Sequence, residues 1–304
     1  MKERIENLHN AIFSKQVRER FETVTLYLGA IGFLIHLLLI ALKDMEMLPI
    51  RPADGILDSP ISAIYTPFSF ILVYEVYLLV FYLPKSISSY IGKQYEIITL
   101  IVIRRIFKDI SNLELSSNWF DLKYDLQFTY DVISALILFL LIYFFYSNVI
   151  KTSNSENDEA EDDMDEPSLL RFIQLKRLIA TLLVPILMLL AAFTLYHWGA
   201  AAIVDYRNGV EAFKDINNIF FDEFFTVLIM VDVLLLLASF FYSNQFHKII
   251  RNSGFIISTV LIKVSFSTDG LINDALIVGA VTFGLLILLI HNKFEKQTLS
   301  NTQS

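Results

Sequence analysis

Apolar residues gather in long blocks along this chain and do not alternate with polar ones. Leu26 to Leu42, Ile61 to Leu83, Phe128 to Tyr146, Leu178 to Val204, Phe224 to Tyr242 and Leu271 to Ile290 are each long enough to form a helix across a bilayer core. Two shorter blocks, Tyr95 to Ile110 and Phe255 to Phe266, fall between them. Their neighbours all span lipid, so the pattern predicts two further spans, lengthened by flanking polar residues. The expected fold class is all-α: a polytopic transmembrane helical bundle of about eight spans.

The blocks read as two tandem copies. His36 and Asp44 match His197 and Asp205 at an offset of 161, and Glu75 matches Asp232 at 157. Ile97, Ile98 and Arg104 match Ile256, Ile257 and Lys263 at 159, and Asp131 matches Asp274 at 143. Drift of this size is what insertions and deletions in loops produce. Four spans per copy is an even number, so both copies cross in the same sense, as parallel four-helix repeats. The expected organisation is a cytoplasmic amphipathic segment at 1–20, a first repeat at 21–150 and an acidic disordered cytoplasmic linker at 151–168. A second repeat at 169–292 and a cytoplasmic tail at 293–304 complete it. Segment 1–20 carries Ile5, Leu8, Ile12 and Val17 at helical spacing. It reads either as a helix on the membrane surface or as an extension of the first span. No cleavable signal peptide is expected in it.

Composition sharpens this reading. Apolar residues make up 55% of the chain, above the usual soluble range. The net charge of −8 comes mostly from Glu156 to Glu166, which holds eight carboxylates in eleven residues. That run reads as a solvated linker, and nothing suggests a basic surface for nucleic acid. With no cysteine, disulfides and thiol chemistry are excluded. Loops on the N-terminal side hold 15 Lys and Arg against six on the other side, which places both termini in the cytoplasm. Packing features are also visible. Pro185 should kink or pack the fifth span. Gly29 with Gly32, Ala275 with Gly279, and Ala280 with Gly284 have the spacing of close helix contacts. Trp119 and Trp198 suit the outer interface. Val210 to Phe220 reads as an interfacial helix.

Charge inside hydrocarbon is costly, so intramembrane ionisable residues mark a candidate functional site. One polar cluster comprises His36, Glu75, Arg104 and Asp131; the other comprises His197, Asp232, Lys263 and Asp274. Counted along the helices, Arg104 can reach between Glu75 and Asp131, with His36 at a compatible level. Two readings follow. The charges are static locks that hold helices in register, or they line a hydrated path for a proton, ion or small polar solute. Lys263 favours the second copy for a proton step, because a desolvated lysine can lose its proton and arginine practically cannot. A metal site is disfavoured, since Arg104 would repel the ion. No nucleophile elbow, metalloprotease His pair or phosphate loop appears, so no enzyme, catalytic residue or cofactor is expected. The partner implied is the lipid bilayer, and neither a protein partner nor an oligomeric state is specified.

The stretches FILVYEVYLLVFYL, YEIITLIVIRRIFKDI and YDVISALILFLLIYFFYS carry an acidic residue in span two, an Arg followed by Asp in span three, and an Asp opening span four. In this pattern, formed by Glu75, Arg104 with Asp109, and Asp131, the chain resembles the phosphate-starvation-inducible PsiE family of four-span bacterial inner-membrane proteins. The second copy departs from it, with Lys263 in place of the Arg and Asp269 displaced by one. The resemblance implies a fused tandem of that unit in a bacterial inner membrane, with a stress-response context and no known mechanism.

Overall fold

In the computed structural model the described residues are 11–45, 60–110, 123–159, 166–204, 209–242 and 246–302. Among them there are helices and turns and no strands. Eight long helices run in order: α1 (Lys15–Asp44), α2 (Tyr65–Tyr82), α3 (Ile87–Ile110), α4 (Lys123–Glu159), α5 (Glu166–Val204), α6 (Gly209–Tyr242), α7 (Phe246–Ser265) and α8 (Gly270–Thr302). Each apolar block lies in its own helix, and a 3-10 turn at Pro60–Ile64 leads into α2.

Local chemistry explains the boundaries. Ser14 caps α1, its Oγ accepting from the Val17 amide at 3.2 Å. The helix therefore begins well before the first apolar block, and the N-terminal segment from Lys15 is an extension of α1. Pro84 follows the end of α2, and Ser86 then caps the first turn of α3 through the Ser89 amide at 3.2 Å. α7 closes with a tight turn from Phe266 to Thr268, and Gly270 opens α8 at φ +66°, which glycine adopts without steric cost. Pro185 lies within a continuous α5. The 210–220 stripe is the first part of α6 and not a separate interfacial helix. Helix also enters the acidic linker from both sides, α4 reaching Glu159 and α5 starting at Glu166, while 160–165 lie outside the described residues.

The packing has a centre and two flanks. In the first half α1 packs on α2, α2 on α3 and α3 on α4. In the second, α5 packs on α6, α6 on α7 and α7 on α8. α4 packs along α8 and α3 touches α7, so these four helices form the middle of the body. Tyr95 of α3 is fully buried there, its hydroxyl 2.8 Å from Ser258 Oγ of α7, which in turn donates to the Ala280 carbonyl of α8 at 2.7 Å. Gly284 makes room for the Tyr95 hydroxyl. At one end of the bundle Lys176 of α5 donates to the Lys85 carbonyl at 3.0 Å, a further tie between the halves. Gly29 and Gly32 face Pro67, Thr66 and Phe70 of α2, as expected of a close contact. Gly279 has open space around it and Ala275 is exposed, so of the two α8 pairs only Ala280 with Gly284 packs inward.

Among the described residues, four helices hold stretches long and apolar enough to cross a membrane: Lys15–Asp44, Asp125–Val149, Arg171–Leu190 and Gly270–Gln297. Their outward faces are strongly apolar. Leu34 and Leu38 on α1, Leu136 and Leu140 on α4, Met188 and Leu189 on α5, and Ile272 on α8 are all more than half exposed. An apolar surface of that extent suits lipid and not water. α3 fails the same apolar criterion for a physical reason. It is enclosed by other helices, so its polar residues Gln94, Thr99 and Arg104 are buried in protein.

Candidate functional site

The polar side chains assemble in three places, and two of them join the halves of the chain. The first lies where α3 and α7 finish and α4 and α8 begin. Adjacent residues on a helix point about 100° apart, so of the two arginines ending α3 only one can face α4 and α8 squarely. That residue is Arg105. Its Nε donates to Asp131 Oδ2 at 2.7 Å and its Nη2 to Asp131 Oδ1 at 2.6 Å, a bidentate fork. Nη2 also donates to Asp274 Oδ1, and Nη1 donates to Asn273 Oδ1 at 2.7 Å. Gln127 adds a bond to Asp131 Oδ1 at 2.8 Å, and Asn273 Nδ2 donates to the Ser265 carbonyl at 2.5 Å. Both aspartate side chains are fully shielded from solvent.

This arrangement revises the sequence-based contacts. Arg104 is buried, but neither Asp131 nor Glu75 bonds to it. Glu75 belongs to a second group about two turns along α3, where Lys93, Glu96 and Glu22 are the charges that bear on it. There Glu96 accepts from both Lys93 and Tyr146. Gly92 lets that tyrosine approach, since a Cβ at this position would lie 2.9 Å from its ring. His36 Nδ1 lies 2.7 Å from Thr66 Oγ1. The four residues of the first expected cluster therefore do not meet at one point.

The second cluster is divided in the same way. Asp274 is in the Arg105 group. Lys263 is half-buried on α7 and bonds to neither Asp274 nor Asp232. His197 falls in α5, and its side chain lies outside the described residues. Asp232 forms the third polar place, between α6, α3 and α7. It is buried, and Gln94 Nε2 of the first half donates to its Oδ2 at 3.1 Å. The amide oxygen of Gln94 accepts from Thr259 Oγ1 of α7 at 2.7 Å, which fixes the orientation of the amide. Beside Asp232 is a cavity of about 20 Å³, walled by Tyr90, Asn252 and Phe255 among apolar side chains.

The two inter-half sites differ in chemistry. At Arg105 every guanidinium nitrogen and both Asp131 oxygens are engaged, the geometry of a lock. At Asp232 the carboxylate has only neutral partners, and there is space next to it. Among the described residues no group of His, Asp and Glu side chains has the arrangement of a metal centre. At the far end of the bundle, burial pulls the His247 imidazole below its ordinary range, with Lys248 and Arg251 adding to the effect. Burial likewise lowers Lys85 in the α2–α3 connection, with Arg18 and Lys93 contributing.

Sequence reasoning missed Arg105, Gln94 and Asn273. A signal for the first two exists. Gln94, Ile98, Ile101 and Arg105 lie on one stripe of α3 at spacings of four, three and four residues, the face presented to the second half. Asn273 was masked by its neighbour Asp274. No family model matches the chain, and no curated protein and no solved structure is similar enough to it to count as a match.

Proposed function

We propose that this is an eight-span protein of a bacterial inner membrane that moves or senses a proton, ion or small polar solute at Asp232. The observation that carries the reading is a buried carboxylate at the junction of the two halves, held only by neutral groups and bordered by a cavity. An intramembrane carboxylate without a fixed counter-charge is costly unless it exchanges charge as part of its work. The other helices complete the count of eight: α3 is enclosed by protein, and α7 presents Ile257, Val260 and Val264 outward. The same order of helix contacts in each half supports the tandem four-helix repeat, as do the sequence offsets. The resemblance to the PsiE family adds a bacterial stress-response setting.

A second reading has its own observation. The Arg105 group engages every guanidinium nitrogen and joins α3, α4 and α8, which is what a non-enzymatic membrane scaffold requires of its buried charges. Gradient dissipation separates the two. Purified protein in liposomes should collapse an imposed gradient of at least one of proton, sodium, potassium or phosphate. Liposomes that stay tight to all four leave the scaffold reading in place.

The excess of Lys and Arg on one set of loops supports cytoplasmic termini and a cytoplasmic acidic linker. A single cysteine introduced as Ser155→Cys should resist an impermeant thiol reagent in intact cells and react once they are permeabilised. The chain has no other cysteine to confuse the signal. Labelling in intact cells would reverse the orientation.

A further inference from the structure

Cations crowd together at the end of the bundle where α1 and α3 start and α2 finishes. Lys85, in the α2–α3 connection, holds its Nζ 4.1 Å from the Tyr82 ring centroid and 4.7 Å from that of Phe81. The Arg18 guanidinium of α1 lies over the same Phe81 ring at 5.4 Å. Lys93 Nζ of α3 is 5.3 Å from the Tyr82 ring. Two neighbouring rings thus gather three cations, each within the roughly 6 Å at which a ring face attracts a positive charge. A fourth, Lys176 of α5, pins the connection itself by donating to the Lys85 carbonyl at 3.0 Å.

The carboxylates of these elements are committed elsewhere. Glu96 pairs with Lys93 and accepts from Tyr146. Glu22 accepts from the Tyr74 hydroxyl at 2.9 Å, and Glu19 pairs with Lys15 at 3.7 Å. Among the described residues neither Arg18 nor Lys85 forms an ion pair. Both lie over Phe81, so they sit within about 10 Å of each other, about one Debye length, where like charges still repel. Burial pulls the Lys85 ammonium below its ordinary range, and Arg18 and Lys93 add to the effect. A topology signal needs positive charge on a loop, but it does not need two cations brought to one ring. That placement calls for an anion between them.

Position selects the anion. Lys85 is exposed and Arg18 half-buried, so a ligand can reach both. On α1 the apolar residues Val17, Val24 and Leu28 are exposed within about three turns of Arg18, so surface suited to lipid begins at the site. Tyr74, Tyr77 and Tyr82 on the last turns of α2 have the apolar body and polar tip that suit the headgroup level. Basic pockets between membrane helices hold anionic headgroups, and a phosphate has oxygens enough for a guanidinium fork and an ammonium together. We propose that Arg18 and Lys85 form a binding site for the phosphate of an anionic lipid headgroup, with the Phe81 ring beneath it. Lys176 is a positioning residue, fixing the turn that presents Lys85. This inference goes beyond the reading at Asp232 and does not depend on it.

The test is the unfolding temperature of the purified full chain in neutral detergent, titrated with phosphatidylglycerol, phosphatidylcholine or inorganic phosphate. Phosphatidylglycerol should raise it saturably and phosphatidylcholine should not. Arg18→Gln and Lys85→Gln should each weaken the phosphatidylglycerol midpoint about fivefold, the effect of one cation beside anionic lipid, and the double variant should weaken it further. Lys85 is exposed, so Lys85→Gln folds and decides the matter even if Arg18→Gln does not. Lys293→Gln removes an exposed charge on α8 and is the control, with an unchanged midpoint. Equal midpoints for wild type and Lys85→Gln would overturn the site. So would an equal loss in Lys293→Gln, which would reduce the effect to general charge attraction. A response to inorganic phosphate without one to phosphatidylglycerol would overturn the lipid assignment and make a free phosphate the occupant.

Discussion

Arg105→Gln is expected to remove most of the folded protein from the membrane. The substitution leaves Asp131 and Asp274, two carboxylates with fully shielded side chains, facing each other without the guanidinium that bridges them. Removing one partner of a buried ion pair typically costs about 3–5 kcal/mol, and a domain's whole stability is about 5–15 kcal/mol. Arg105→Lys should recover only part of the loss. A lysine is a point charge and cannot reproduce the two-pronged bond to Asp131 while also reaching Asn273 and Asp274. Adding Asp274→Asn to Arg105→Gln should restore some folded protein, since it removes one of the stranded charges. The measurement is the monodisperse fraction after detergent extraction, with thermal unfolding of what survives. Equal yields for Arg105→Gln and wild type would show that the group does not hold the halves together.

Gly284→Ala should be nearly as damaging, through sterics alone. A Cβ at that position would lie 1.8 Å from the Tyr95 hydroxyl oxygen and 2.9 Å from its ring carbon. The ring cannot yield easily. It is fully buried, packs edge-on against Phe145 at 5.1 Å, and is tethered by the bond to Ser258. Overpacking of this kind costs about 1–3 kcal/mol and sometimes more. Tyr95→Phe in the same background removes the atom that clashes worst and should recover part of the loss. The double variant should therefore depart from additivity, as residues in contact do. Gly279→Ala is the control. Nothing lies near its Cβ direction, so it should leave the unfolding temperature unchanged.

The helices were legible because lipid imposes long apolar runs, and all eight blocks became separate helices. The two that looked short, in α3 and α7, lie in the middle of the body, where polar side chains find partners on other helices. Both carry polar side chains among their buried residues, Gln94 and Arg104 on α3 and Arg251 and Asn252 on α7. The candidate site was legible as a set of residues and not as contacts. Asp131, Asp232 and Asp274 were visible as charges on apolar helices, but the partners of Asp232 and Asp274 come from the opposite half of the chain. No offset along the sequence indicates that exchange. The choice of Arg105 over Arg104 turns on a rotation of about 100° that neighbouring positions in a sequence do not reveal. Gln94 went unnoticed because a neutral amide draws no attention in a search for charge, yet it is the bond that reaches Asp232.

The central claim is that Asp232 carries the function while the Arg105 group carries the assembly. The most direct measurement is proton flux into liposomes containing wild-type protein or Asp232→Asn, at matched amounts of folded protein, with the unfolding temperature of each preparation recorded. The carboxamide keeps the shape of the side chain but cannot hold an exchangeable charge. The account predicts that wild-type vesicles dissipate the gradient and that Asp232→Asn vesicles hold it, with little change in unfolding temperature. Tight wild-type vesicles, together with an Asp232→Asn variant altered only in its unfolding temperature, would contradict it.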